Sequence, residues 1–345
     1  MNTLIVAPNW IGDAVMAQPL LALLARNDPQ ACIEVLAPPQ VAPVFAAMAE
    51  VAEVIEAPNL RGRLQLRERW QLARQLRGRY QRCYVLPNSL KSALIPFMAG
   101  IAQRHGHLGE SRYLLLNRAH RSGKARHLPM VEHYARLAFP AQEPIPAGVP
   151  DPVLRVAPAQ IQAARSRLKI EADAPLFVLC PGAEYGAAKR WPARHFGALA
   201  SMIANEWPEA IIALLGSAKE RTLATEIAAL SGQELRNLCG ETSLAEALAL
   251  IAGADAVVSN DSGLMHVAAA LRRPQVAVFG SSDPGHTPPR SPRARIEWLH
   301  LECSPCFERE CPLGHTDCLN RIAPASVFRS LLGAMHSTTT SGPPR

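Results

Sequence analysis

Short apolar runs alternate with longer segments of helical period along most of the chain, and a proline-crowded stretch divides the pattern in two. In the first half, residues 3–7, 32–36 and 83–86 read as strands, and residues 16–25 and 64–76 as helices. Six prolines fall from Pro140 to Pro158, both ends counted, and a residue without an N–H and with a locked φ interrupts regular structure at each of them. In the second half, strands at 176–180, 210–215, 235–238, 256–259 and 275–279 alternate with helices near 196–203, 223–230, 244–252 and 264–271. Strand–helix alternation demands parallel strands joined by crossovers, so the expected fold is α/β: two Rossmann-like, doubly wound parallel-sheet domains facing a central cleft. Residues 1–160 form the first domain, with the linker at about 140–158, and residues 161–336 the second. A length of 345 residues and 48% hydrophobic content is enough for two cores. A helix at 325–334 precedes a tail, 337–345, whose threonines, glycine and prolines have too little apolar content to pack, so disorder is expected there.

Three strand exits carry chemistry. At Ser259-Asn260-Asp261-Ser262-Gly263-Leu264-Met265-His266 an apolar run passes through small polar residues into a helix. A helix start presents unpaired N–H groups and partial positive charge, so a phosphate is its natural guest, although Asp261 or Ser262 can equally serve as a plain N-cap. The run at 176–180 enters Pro181-Gly182-Ala183-Glu184 and continues to Lys189-Arg190-Trp191-Pro192. Gly182 allows close backbone approach, and Lys189 and Arg190 supply cations for a leaving phosphate. The first strand exits into Pro8-Asn9-Trp10-Ile11-Gly12-Asp13. There Asp13 either caps the helix that begins near Ala14 or accepts a proton from a substrate hydroxyl. No strand-to-helix turn offers G-x-G-x-x-G, which argues against a dinucleotide-dependent dehydrogenase.

The formal net charge is +7, and basic residues crowd the first half from Arg61 to Arg126, implying an acidic partner or surface if they are not simply solvated helix faces. A nucleic-acid-binding protein fits the charge but not the five Trp, five Tyr and eight Phe, which leave few stacking platforms. With no basic region before the first strand and no bilayer-length apolar run, the chain is expected in the cytoplasm, at most touching a membrane surface. The carboxylate pair D-x-D that holds a diphosphate through a divalent ion is missing; the nearest match is Glu171-x-Asp173, beside the linker. Catalysis is therefore expected to need no metal or other cofactor. Of eight cysteines, Cys32, Cys83, Cys180 and Cys239 sit on apolar segments as expected buried thiols. Cys303, Cys306, Cys311 and Cys318, with His315 nearby, have spacings that permit a structural zinc site or a plain loop of reduced thiols.

Taken together, residues 11–16, 87–93 (Pro-Asn-Ser-Leu-Lys-Ser-Ala), 181–192 and 260–266 followed by Phe279-Gly280-Ser281-Ser282 resemble the ADP-heptose:lipopolysaccharide heptosyltransferases of glycosyltransferase family 9. Arg104, Arg112-Tyr113, Leu115-Leu116-Asn117 and the 303–318 cysteines are similar to the second type rather than the first. The resemblance runs from about residue 4 to 322. It implies a GT-B fold and an inverting transfer of L-glycero-D-manno-heptose from ADP-heptose to the first heptose of a Kdo-lipid A inner core, at the cytoplasmic face of the inner membrane. It gives Asp13 the general base, Lys189 the diphosphate, and Asp261, Ser262, Gly263 and His266 the donor. Gly216, Ser217, Glu241 and Thr242, at neighbouring strand and helix ends, are donor candidates where turns and caps are the alternative. Asn88, Ser89, Lys91 and Arg104 are acceptor candidates, with Arg112 and Arg118 behind them, because an inner-core acceptor carries carboxylates and phosphates. A first- or third-type heptosyltransferase shares the donor loops and differs mainly at the acceptor.

Overall fold

The computed structural model describes residues 1–58, 64–121, 128–141, 143, 145 and 148–337, and the expected disorder of the tail falls, except for Ser337, outside them. The chain splits into two units, Met1–Arg155 and Val156–Arg345. Pro158, expected to close the linker, is instead the first residue of a helix, a position where its missing N–H costs nothing.

The first unit is a six-stranded sheet of β1 (Asn2–Val6), β2 (Cys32–Ala37), β3 (Val51–Glu56), β4 (Arg82–Val85), β5 (Gln103–His107) and β6 (Arg118–His120). Its order is β3-β2-β1-β4-β5-β6, and every pairing is parallel. The crossovers are built on α1 (Ile11–Met16), α2 (Gln18–Asn27), α3 (Ala42–Ala46), α4 (Leu66–Leu76), α5 (Leu90–Met98) and α6 (Met130–Ala135). Leu72, Ala73 and Leu76 of α4 join Leu4, Val6, Cys83, Val85 and Ile95 in one buried cluster.

The second unit repeats the plan. After α7 (Pro158–Arg167) come β7 (Leu176–Cys180), α8 (Ala193–Glu206), β8 (Ile211–Leu214), α9 (Arg221–Ser231), β9 (Arg236–Asn237), α10 (Leu244–Ala252), β10 (Ala256–Asn260), α11 (Gly263–Ala270), β11 (Gln275–Val278), β12 (Ala294–Glu297), α12 (Asp317–Asn320) and α13 (Pro324–His336). The sheet order β12-β11-β10-β7-β8-β9 is again all parallel. β7 and β10 are buried along their whole length, because helices cover both faces of the central strands. Each sheet grows outward in both directions from its first strand, so its topological switch points lie at β1/β4 and β7/β10. The crevice beyond the carboxyl ends of such strands is where open α/β sheets bind ligands.

Candidate functional site

In the second unit the switch point is formed by residues 181–192, which leave β7, and residues 261–262, which leave β10. Asn260, fully buried, ties the two together: its Nδ2 donates to the Pro181 carbonyl (2.6 Å) and its Oδ1 accepts from the Trp191 N–H (3.0 Å). Lys189 ends a short 3-10 turn at 187–189, and its Nζ donates to Asp261 Oδ2 at 2.5 Å. The same oxygen accepts from the Ser282 hydroxyl, also at 2.5 Å. Lys189 Nζ further lies 5.1 Å from the centroid of the Tyr185 ring.

Neither Asp261 nor Ser262 is a side-chain cap. Ser262 is the extended N-cap residue of α11 without a capping hydrogen bond, and its buried hydroxyl oxygen has no hydrogen-bond partner among the described residues. Gly263 opens the helix and His266 follows within its first turn. Burial pushes His266 down to about 4, the Asp261 carboxylate pulling it up and the Lys189 cation pushing it down, so at neutral pH the ring is uncharged. A helix start without a side-chain cap, an ammonium in an ion pair and a neutral imidazole can together receive an anion and orient a polar ligand.

Gly182 and Gly216 meet at a residue the sequence reading missed. A Cβ at Gly182 would lie 2.4 Å from Glu220 Oε1, and one at Gly216 2.8 Å from Oε2. The buried Glu220 carboxylate accepts from the Ser217 N–H (2.6 Å) and hydroxyl (2.7 Å). The spacing Ser217-x-x-Glu220 is a capping box and was the available signal. Arg190 is exposed and donates to the Ala183 carbonyl at 3.3 Å. Glu241 and Thr242 lie between β9 and α10, where Ser243 with Glu246 supplies the cap; Glu241 faces Arg221 at 3.7 Å.

Cys303, Cys306, Cys311 and Cys318 are reduced and half-buried, and with His315 line a cavity of about 20 Å³. Among the described residues no group of three or more His, Cys, Asp or Glu is placed to hold a metal ion, so the zinc alternative finds no assembled site. His315 Nδ1 accepts from the Asp317 N–H (3.0 Å) within its own turn. The cysteine segment instead braces the lysine loop. The Tyr185 hydroxyl donates to the Phe307 carbonyl (2.6 Å), and the Ala188 N–H to the Arg309 carbonyl (3.0 Å).

At the β1/β4 switch point of the first unit, Asp13 is the third residue of α1, inside the helix rather than capping it. Burial raises its carboxyl to about 6, opposed by a hydrogen bond from the Tyr134 hydroxyl on α6. Tyr134 is itself buried and was not foreseen. Beyond β4, residues 87–89 are held by Arg112, whose guanidinium is fully buried. It donates to the Pro87 carbonyl (2.5 Å), the Ser89 carbonyl (3.3 Å), Asn88 Oδ1 (3.3 Å) and the His107 carbonyl. Arg112, a weak acceptor candidate from sequence, is thus the scaffold of the loop that presents Asn88 and Ser89. A cavity of about 360 Å³ is lined by Asn9, Trp10, Pro87, Ser89, Lys91 and Arg69 among others. Arg69, which reads as part of a solvated basic face, is only 3% exposed and donates to the Leu64 and Lys91 carbonyls.

Arg104 does not join this set. It stands near the amino end of β5, opposite Cys83, and its guanidinium is spent on the Leu115 (2.7 Å) and Ile101 (2.5 Å) carbonyls. Arg118, first residue of β6, is also at that amino edge and exposed.

Residues 69–317 match the family model described as glycosyltransferase family 9 (heptosyltransferase). The chain is 42% identical over 341 residues to lipopolysaccharide heptosyltransferase 2 of Salmonella typhimurium, covering 96% of this chain and 97% of that one. It is 43% identical over 309 residues to lipooligosaccharide heptosyltransferase 2 of Haemophilus influenzae, covering 86% and 88%. Among solved structures, E. coli ADP-heptose LPS heptosyltransferase II superposes with a TM-score of 0.87 at 39% identity, over 97% of this chain and 98% of that one. The two parallel sheets are those of a GT-B glycosyltransferase. The chain belongs to glycosyltransferase family 9, the heptosyltransferase family.

Proposed function

We propose that this enzyme is a heptosyltransferase of the second type, moving L-glycero-D-manno-heptose from ADP-heptose to the first heptose of the lipopolysaccharide inner core on Kdo-lipid A. The observation that carries the reading is the full-length similarity to heptosyltransferase 2 enzymes, at 42% identity over 96% of the chain. First- and third-type acceptors and nucleic acid are not favoured by it. The Asp13 carboxylate takes the proton of the acceptor hydroxyl as that oxygen attacks the anomeric carbon; the bond from that carbon to the diphosphate breaks, and the electron pair leaves with ADP. Attack from the face opposite the leaving group inverts the centre. A carboxyl raised to about 6 is ionised at neutral pH yet more basic than an exposed aspartate, which suits this role.

Charge develops on the departing diphosphate, and Lys189 with the start of α11 is positioned to stabilise it. Gly182, Gly216, Ser217, Glu220, Asp261, Ser262, Gly263 and His266 form the rest of the donor site, with Arg190, Glu241 and Thr242 at its margin. Asn88, Ser89, Lys91 and the cavity beside them take the acceptor, whose carboxylate and phosphate groups suit lysine. The reaction takes place at the cytoplasmic face of the inner membrane, where such an acceptor is anchored.

Mass-resolved product formation from ADP-heptose tests the reading, with a monoheptosylated Kdo-lipid A acceptor and a Kdo-only acceptor run separately, each with and without EDTA. Heptose added to the first alone, insensitive to EDTA, is the expected result. Transfer to the Kdo-only acceptor would make it a first-type enzyme, and transfer to neither would remove the donor assignment.

A further inference from the structure

Charge is divided unevenly between the units. Residues 1–155 carry 18 Lys and Arg against 11 Asp and Glu, whereas residues 156–345 carry 18 of each, so the whole net charge of +7 belongs to the first unit. Helix α4 shows how part of that charge is displayed. Its Arg69, Leu72, Ala73 and Leu76 are buried, and the opposite face is open. Bordering the buried stripe, Leu66 is 54% and Trp70 51% exposed, one helical turn apart, and the Arg74 guanidinium lies 4.9 Å from the Trp70 ring centroid. Arg67 and Arg77 are exposed beside them, and Glu68 is the helix's one acid. Arg79, by contrast, is paired with Glu34 (2.8 Å) and contributes little free charge.

A helix face carrying leucine and tryptophan among arginines is costly to leave in water and matches the boundary between lipid head groups and acyl chains. Among the described residues no helix is long and apolar enough to cross a membrane. We infer that the exposed face of α4, with Leu66 and Trp70 as apolar anchors and Arg67, Arg74 and Arg77 around them, docks the first unit on an anionic lipid bilayer. The start of α4 also rims the 360 Å³ cavity: Arg69 holds the Leu64 carbonyl with one nitrogen and the Lys91 carbonyl with another, and both Arg69 and Lys91 line that cavity. Docking here brings the β1/β4 switch point to the lipid surface, where a lipid-anchored acceptor is presented.

Co-flotation of the full-length chain with vesicles of phosphatidylethanolamine and phosphatidylglycerol, against phosphatidylcholine vesicles, tests this without donor or acceptor, so its outcome is independent of the reaction assigned above. Binding to the anionic vesicles alone, weakening as salt rises, is expected. Arg67→Gln/Arg74→Gln/Arg77→Gln should weaken it roughly 100-fold at low salt, about fivefold for each arginine. Trp70→Ser should weaken it at least fivefold with an unchanged melting temperature. With the acceptor in vesicles both variants should transfer heptose more slowly, and with a delipidated acceptor as fast as the parent. Equal binding to both vesicle types, undiminished binding by either folded variant, or α4-dependent binding to tRNA with none to vesicles would overturn the inference.

Discussion

Lys189→Met separates the two things the lysine does. Lys189 Nζ is 2.5 Å from Asp261 Oδ2, with the lysine side chain 18% and the aspartate 6% exposed. Removing the ammonium leaves a buried carboxylate with, among the described residues, the Ser282 hydroxyl on that oxygen. Breaking one side of a buried pair costs about 3–5 kcal/mol, and with the lysine partly exposed the lower end, about 3 kcal/mol, is expected. Asp261→Asn in the same chain removes the orphaned charge and should return most of that loss. The reaction behaves differently, because a leaving diphosphate needs the cation whether or not Asp261 is charged. Loss of one such group raises the barrier by about 3 kcal/mol, or roughly 100-fold in rate, and the second substitution should not restore it. Denaturant unfolding and initial rates of ADP release on Lys189→Met, Asp261→Asn and the double variant form the cycle. If Lys189→Met releases ADP at the parental rate, Lys189 has no part in the chemistry. If the double variant is no more stable than Lys189→Met, the orphaned carboxylate is not what destabilises it.

Asp13→Asn should abolish transfer, while the parent should lose activity as pH falls through about 6, where its base becomes protonated; a rate flat from pH 8 to 5 would refute that assignment. The Tyr134 hydrogen bond holds the Asp13 carboxyl down, so Tyr134→Phe should move this acid limb to higher pH in the kcat profile. Burial holds His105 and His120 at about 4 and His107 at about 3, against an ordinary value of 6.5. Their folded values are depressed, so stability is full above pH 6.5 and is lost as the unfolded chain alone takes up protons below it. From pH 6.5 to 5.5 the three cost about 3 kcal/mol, partly offset by the raised Asp13; a melting temperature unchanged over that interval would refute this. Gly182→Ala drives a Cβ into Glu220, and should cost about 1–3 kcal/mol of stability and raise the donor KM more than the acceptor KM; equal effects on both would separate Glu220 from the donor.

The fold was legible where strands are buried on both faces. β7 is a continuous apolar run and β10 opens as one, Ala-Val-Val, because helices cover them above and below, and β1 closes on Leu-Ile-Val after Asn2 and Thr3. The strands that escaped lie farther out in the sheets. Gln-Arg-His-Gly-His in β5 and Arg-Ala-His in β6 have no apolar alternation, and β3 is partly exposed throughout. Pro96 inside α5 hid that helix, and Pro158 at the start of α7 read as linker. At the site, Asp261, Ser262, Gly263 and His266 were readable because the motif is local. That Lys189 answers Asp261 across 72 residues was not, nor was the contact of Tyr134 with Asp13. Arg104 and Arg112 look alike as cations in a sequence. They differ because Arg104 enters β5 at its amino end, whereas Arg112 follows β5 and folds back to the loop beyond β4.

The second unit carries no net charge, and its most apt cation is already neutralised by Asp261, so attraction at long range does not explain how it would hold a diphosphate. Short-range preorganisation does. An anion that takes Lys189 from Asp261 leaves that carboxylate with the Ser282 hydroxyl at 2.5 Å and a neutral His266 beside it in charge terms. A pocket built in this way rests with its cation and carboxylate paired, and self-repulsion in the folded protein is small.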